Sequence, residues 1–223
     1  MRRHGYATTA DIGRLARGWL ADLRRQVASR PGLVLDPGRC ALLIIDMNNY
    51  FADPGGRCFL PAAAAVAPRI RALLDAWRER GSPVVFTRHG HEHPGDLGML
   101  GRFFSDHIDA RGEEAGIIEA LAPREDEPVL GKTTYDAFLG TPLEPLLRDR
   151  GVEQVLVTGV LTHMCCETTA RAAFCRGFEV YVPVDGTASS SLDMHLGSLR
   201  SMVDCVAVPV AVDEVLSLCA GPA

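Results

Sequence analysis

The chain has no apolar run long enough to cross a bilayer, no Lys/Arg-rich cluster, no Cys-x-x-Cys pair, no internal repeat and no low-complexity tract. Each absence closes a class of function. A transmembrane helix needs about 20 consecutive apolar residues, and the arginines near the N-terminus are followed by no apolar stretch of the kind an export signal carries. Without a basic patch, and with a formal net charge of -5, nothing draws the chain to nucleic acid or to an anionic membrane surface. Seven cysteines, an odd number scattered through apolar segments, do not form the framework of a disulfide-stapled secreted domain. The missing Cys-x-x-Cys removes the zinc-ribbon and thioredoxin readings. The expectation is a cytoplasmic protein whose partner is a small-molecule substrate, not nucleic acid and not a membrane.

Apolar material for a core is ample, since 47% of the 223 residues are hydrophobic and 23% are charged, the balance of one globular domain. Residues 9–29 place Ile12, Leu15, Ala16, Trp19, Leu20, Leu23 and Val27 at helical spacing with arginines on the other faces. Residues 1–35 therefore read as an N-terminal helical extension, covering a sheet edge or a neighbouring subunit and carrying an exposed Trp19. Residues 36–223 read as the main domain. Residues 40–45 are continuously apolar, the mark of a strand buried on both faces, and further strands are predicted at 83–87, 128–130, 154–158 and 179–183. Helices are predicted at 61–80, 116–121, 141–150, 165–176 and 191–203, with a last strand and short helix within 206–218. This alternation predicts an α/β fold, a three-layer α/β/α sandwich around a mostly parallel sheet. Ligands of such sheets bind beyond the carboxyl ends of the strands.

Asp46, Lys132 and Cys165 each stand just past a predicted strand end. A thiol at the first turn of a helix is a nucleophile candidate, because unpaired N–H groups and the helix dipole favour thiolate there. A carboxylate can take the thiol proton and return it to a leaving amine, while an ammonium holds the thiolate and keeps the carboxylate ionised. Taken singly, the three could equally be a loop cap, a solvated lysine and a packed cysteine. Their surroundings decide otherwise. The blocks Leu42-Leu-Ile-Ile-Asp-Met-Asn-Asn-Tyr-Phe51, Gly131-Lys-Thr-Thr-Tyr-Asp-Ala-Phe138 and Gly159-Val-Leu-Thr-His-Met-Cys-Cys-Glu-Thr-Thr-Ala170 resemble, in order, the three signature blocks of the isochorismatase-like cysteine hydrolases. The resemblance spans roughly residues 38–218. It implies the isochorismatase-like hydrolase fold, a triad of Asp46, Lys132 and Cys165, and a thioester intermediate. It further implies a cis peptide between Val160 and Leu161 that turns the N–H groups of Leu161 and Cys165 into an oxyanion hole.

Members that hydrolyse the vinyl ether of isochorismate resemble this chain around Gly159-Val160 and His163 but lack the thiol, whereas amide-cleaving members carry it. The resemblance thus implies cleavage of a C–N bond in an amide, carbamoyl, ureido or lactam group. The alternatives are a vinyl-ether hydrolase with Asp46 as acid, or a silent relative that only binds or assembles. Nicotinamidases hold a metal through an Asp-x-His pair; here position 48 is Asn48 and no histidine lies between Asp46 and Val85, so no metal and no cofactor is expected. The run Thr162-His-Met-Cys-Cys-Glu-Thr-Thr-Ala-Arg171 resembles the subgroup containing streptothricin hydrolase, which opens a lactam. Ala172 departs from the family, which usually has an acidic residue there. Cys166, one residue on from the nucleophile, points about 100° away and reads as packing. His89, His91 and His93 alternate but lie in a Gly- and Pro-containing loop that does not assure convergence on a metal. Substrate contacts are expected from Phe51, Arg88, His89, Tyr135 and His163, the last either lining the pocket or hydrogen-bonding structurally, with Phe103 and Phe104 as further wall residues and 98–108 as a lid or subunit contact. Family members commonly self-associate, which implies a homo-oligomer, a dimer or larger.

Overall fold

The computed structural model describes residues 5–26, 30 and 32–220. Seven strands form one sheet: β1 (Cys40–Ile45), β2 (Val84–His89), β3 (Val129–Lys132), β4 (Gln154–Val160), β5 (Glu179–Pro183), β6 (Thr187–Ala188) and β7 (Val208–Val210). The order is β3-β2-β1-β4-β5-β7, with β6 paired to the end of β4, and every one of these pairings is parallel. β1 and β4 lie at the centre and are buried along their whole length, which is why their sequences show no polar alternation.

The helices are α1 (Ile12–Gln26), α2 (Asn49–Ala52), α3 (Pro61–Arg80), α4 (Leu100–Phe103), α5 (Leu143–Asp149), α6 (Glu167–Cys175), α7 (Leu192–Cys205) and α8 (Val212–Cys219). Strand side chains alternate between two cores. Leu42, Ile44 and Phe86 pack with Ile70, Leu74 and Trp77 of α3 and Val215 of α8. Leu43, Ile45 and Val85 pack on the other side with Leu147 of α5, Ala170 of α6 and Leu199 of α7. The result is three layers, helix, sheet and helix. Trp77 is fully buried and its indole N–H donates to the Cys40 carbonyl at 3.0 Å, pinning α3 to β1.

α1 packs against α7 and the edge strand β7, so the N-terminal helix covers a sheet edge. Residues 27–29 of its predicted span lie outside the described residues. Trp19, expected to be exposed, is buried against the rings of Tyr6 and His195. The helix predicted over 116–121 is only a single tight turn, Glu119–Leu121. The reason is that the backbone ahead of it pairs with the loop after β1: Asn49 N–H donates to Gly116 at 2.7 Å and Ile118 N–H to Met47 at 3.0 Å. The two-residue β6 is too short to leave a periodic signal. No helix among the described residues is long and apolar enough to cross a membrane.

Candidate active site

Asp46 follows the last residue of β1, and its backbone turns into the left-handed region at φ 47, a conformation Asp tolerates better than most non-glycine residues. Thr87 of the neighbouring strand fixes it there. The Thr87 hydroxyl donates to Asp46 Oδ1 at 2.7 Å, and the Asp46 N–H donates to the Thr87 carbonyl at 3.2 Å. Lys132, the last residue of β3 and the only lysine among the chain's 23 basic residues, reaches across β2 with its side chain wholly buried. Its three protons have three acceptors: Asp46 Oδ2 at 2.6 Å, the Thr134 carbonyl at 2.9 Å and Cys165 Sγ at 3.3 Å.

β4 delivers the sulfur. At Gly159, φ is 106 and a Cβ would sit 2.0 Å from the Ile45 carbonyl oxygen, so only glycine permits the approach of the two central strands. The bond between Val160 and Leu161 is cis, and the chain then makes one π-turn, Thr162–Cys166, before α6 begins. Cys165 therefore sits inside a widened turn, one short of the first-turn position the sequence suggested. Its neighbour Cys166 is fully buried with Sγ towards the Thr158 carbonyl.

The electrostatics differ from expectation at the thiol. Burial pushes the Cys165 thiol up, and the Asp46 charge adds to this while Lys132 opposes it, leaving it at about 12. Where the sequence favours a thiolate, the thiol is thus neutral at rest: removal from water outweighs the ammonium. Burial alone would raise the Asp46 carboxyl, yet Lys132, His89 and the Thr87 hydroxyl together hold it below its ordinary value. Burial would likewise lower Lys132, but Asp46 and Cys165 outweigh it and raise the ammonium. The resting state is a buried Asp⁻–Lys⁺ pair with a protonated thiol beside it, hydrogen-bonded to both partners. Asp46 is the group placed to receive that proton.

A cavity of about 290 Å³ opens over Cys165. Phe51, His89, Tyr135 and Leu161 line it, together with Phe104. Arg88 does not: the strand alternation that turns His89 inward turns Arg88 outward, where it is exposed. His163 is also absent from the wall, its Nδ1 held by the Ser189 hydroxyl. Phe103 is 78% exposed and faces away. The segment expected as a lid supplies the cavity wall through Leu100 and residues 104–108. Tyr50, Leu60, Met164 and Asp106 also line it, and sequence reasoning missed them, although Tyr50 belongs to the first signature block and Met164 to the third.

Among the described residues the alternating histidines do not come together as a ligand set. His91 Nδ1 faces Asp96 at 3.0 Å, and no group of three His, Cys, Asp or Glu among the described residues is placed to hold an ion. Asn48 donates its amide to the carbonyls of Ala115 (2.7 Å) and His89 (3.3 Å), a loop-bracing task that a metal ligand would not perform. The residues present therefore do not fit the Asp-x-His type of metal site.

A support not foreseen from the sequence lies behind the π-turn. Buried His195 of α7 accepts the Thr162 hydroxyl at Nδ1 (2.9 Å) and donates from Nε2 to the Val184 carbonyl (3.1 Å). Ser198 donates to the Thr162 carbonyl at 3.1 Å and lies 2.6 Å from Glu167 Oε2. Tyr6 stacks on His195, and its hydroxyl accepts the Ser189 N–H at 3.0 Å. Ala172, at the position where an acidic residue was expected, packs its side chain on the α5–α7 core, and its carbonyl accepts from the Arg176 guanidinium at 3.0 Å.

Residues 40–214 match the model of the isochorismatase domain. Nicotinamidase 3 of Arabidopsis thaliana is 36% identical over 175 residues, covering 74% of this chain and 84% of that protein. The isochorismatase of Bacillus subtilis (strain 168) is 35% identical over 187 residues, covering 82% of this chain, which spans only 59% of that protein's length. Among solved structures, a cysteine hydrolase from Pseudomonas syringae pv. phaseolicola 1448A superposes with a TM-score of 0.81 at 27% identity, covering 87% of this chain and 97% of that one.

Proposed function

The chain belongs to the isochorismatase family of hydrolases, and on that footing we propose that it cleaves a C–N bond of a small metabolite through a thioester on Cys165. The observation that carries the reading is the approach of Lys132 Nζ to both Asp46 Oδ2 (2.6 Å) and Cys165 Sγ (3.3 Å) at the floor of a cavity. The thiol hands its proton to Asp46 as sulfur bonds to the carbonyl carbon, and the oxygen takes the charge. The N–H groups of Leu161 and Cys165 receive that oxyanion. As the C–N bond breaks, Asp46 returns the proton to the leaving nitrogen. Asp46 then deprotonates a water that attacks the thioester, and the departing sulfur regains a proton. Lys132 keeps Asp46 ionised before each transfer and shields the sulfur as charge develops.

The bond is that of an amide, a carbamoyl or ureido group, or a lactam, the last on the likeness of residues 162–171 to the streptothricin hydrolase subgroup. The name of the Arabidopsis relative supports an amide. A cytoplasmic location and self-association belong to the same proposal and rest on the sequence alone. Incubation with a panel of primary amides, ureido compounds and lactams, read by mass spectrometry of the intact protein, should give a thioester adduct in the wild type and none in Cys165→Ala. Full turnover by Cys165→Ala would refute the reading. Turnover that survived alkylation of Cys165 would instead favour vinyl-ether chemistry with Asp46 as acid.

A further inference from the structure

The cavity over Cys165 offers a ligand no permanent positive charge, for its basic wall residues are the histidines His89, His91 and His107. Among the described residues that line it there is neither lysine nor arginine. Lys132, beneath the sulfur, is matched by Asp46, and Arg57, which touches the wall at Asp106, is shared between Asp106 and Glu114. Any charge on His91 faces Asp96 at 3.0 Å. Burial and the nearby Lys132 ammonium bring His89 down to about 4, so its ring is neutral. A carboxylate or phosphate entering here would shed its water and meet neither lysine nor arginine in exchange. The rest of the wall is mainly apolar, with Phe51, Leu60, Leu161 and Met164 among its members.

One polar atom in that wall is left over. His89 Nδ1 is buried without a hydrogen-bond partner, on a residue that shares the cavity with Cys165. The backbone of Lys132, the residue opposite it on β3, favours a ring hydrogen on Nε2, which leaves Nδ1 as a bare acceptor. An orphaned buried acceptor beside a nucleophile asks for a donor from the ligand.

We infer that the site takes an uncharged carboxamide or ureide on a small apolar body, whose nitrogen carries hydrogen and donates it to His89 Nδ1. The inference rests on the hydrolase reading above, but it is tested without hydrolysis. Iodoacetamide, iodoacetate and 2-iodo-N,N-dimethylacetamide are neutral, anionic and N–H-free probes of the same thiol. Their rates at the Cys165 peptide are measured by mass spectrometry at pH 9 and divided by their rates with 2-mercaptoethanol, which cancels intrinsic reactivity.

Iodoacetamide should then exceed iodoacetate by at least tenfold at Cys165, and any smaller ratio overturns the claim that the ligand is uncharged. Ser105→Arg, which adds a cation to the wall without touching the core, should cut that ratio at least threefold; an unchanged ratio also overturns it. Iodoacetamide should exceed the dimethyl probe by about fivefold, and His89→Leu should bring the two within twofold. A preference that is absent in the wild type, or survives in His89→Leu, overturns the role of His89. If these ratios hold while no amide is turned over, the hydrolase reading fails and the ligand class stands.

Discussion

At the scale of single residues, the protonated state of Cys165 has a kinetic signature. An ordinary thiol is half ionised at about pH 8.5 and stops gaining reactivity by about pH 9.5. With burial holding Cys165 near 12, its labelling by iodoacetamide should keep climbing through pH 10. A plateau by about pH 9.5, read on the Cys165 peptide, would mean that the thiol is not held protonated. His195 gives a second, thermodynamic signature. Burial brings its folded-state pKa down to about 4, so as pH falls below the ordinary 6.5 the unfolded chain takes up the proton first. Stability is therefore full above pH 6.5 and declines as pH falls towards 4, by about 3 kcal/mol for this residue at the order-of-magnitude level. His89 acts in the same window and the same sense. Melting temperatures from pH 7 to 4.5 should fall less steeply in His195→Gln than in the wild type. Parallel curves would show that His195 takes up its proton in the folded state.

At the scale of elements, the turn that carries Cys165 is held from both sides. β4 and β1 approach closely at Gly159, and α7 grips Thr162 through His195 and Ser198. The N-terminal segment joins this support through Tyr6, whose hydroxyl satisfies the buried Ser189 N–H. Tyr6→Phe keeps the ring and removes that acceptor, so it should cost about 1 to 2 kcal/mol in urea unfolding. A variant as stable as the wild type would show that the N–H finds another partner. Trp19 belongs to the same cluster, and the sequence misled here because a large aromatic on an arginine-rich helix looks exposed until its partner is known. That partner, His195, lies far along the chain, beyond the reach of helical periodicity.

At the scale of the whole molecule, the layered α/β plan was legible because central parallel strands buried on both faces write themselves as unbroken apolar runs, as residues 40–45 and 154–158 do. The three groups that meet at Asp46 could be proposed from block order alone, since parallel strands put all their carboxyl ends on one rim. What failed were statements needing coordinates. The tight turn at Glu119–Leu121 depends on pairing with the loop after β1, and the inward or outward sense of Arg88 and His89 depends on where β2 ends. The thiol's charge state depended on burial, which outweighed the local rule for helix starts. One clue was overlooked: a chain with 23 basic residues uses lysine once, and places it where three acceptors converge.

That solitary lysine makes the molecule its own reporter. Isotope enrichment of lysine alone would put a single side-chain ammonium signal in the spectrum, with no crowd of surface amines to resolve it from. Its frequency across a titration would follow the heart of the reaction centre directly, and any ligand that disturbed the sulfur would announce itself at that one resonance.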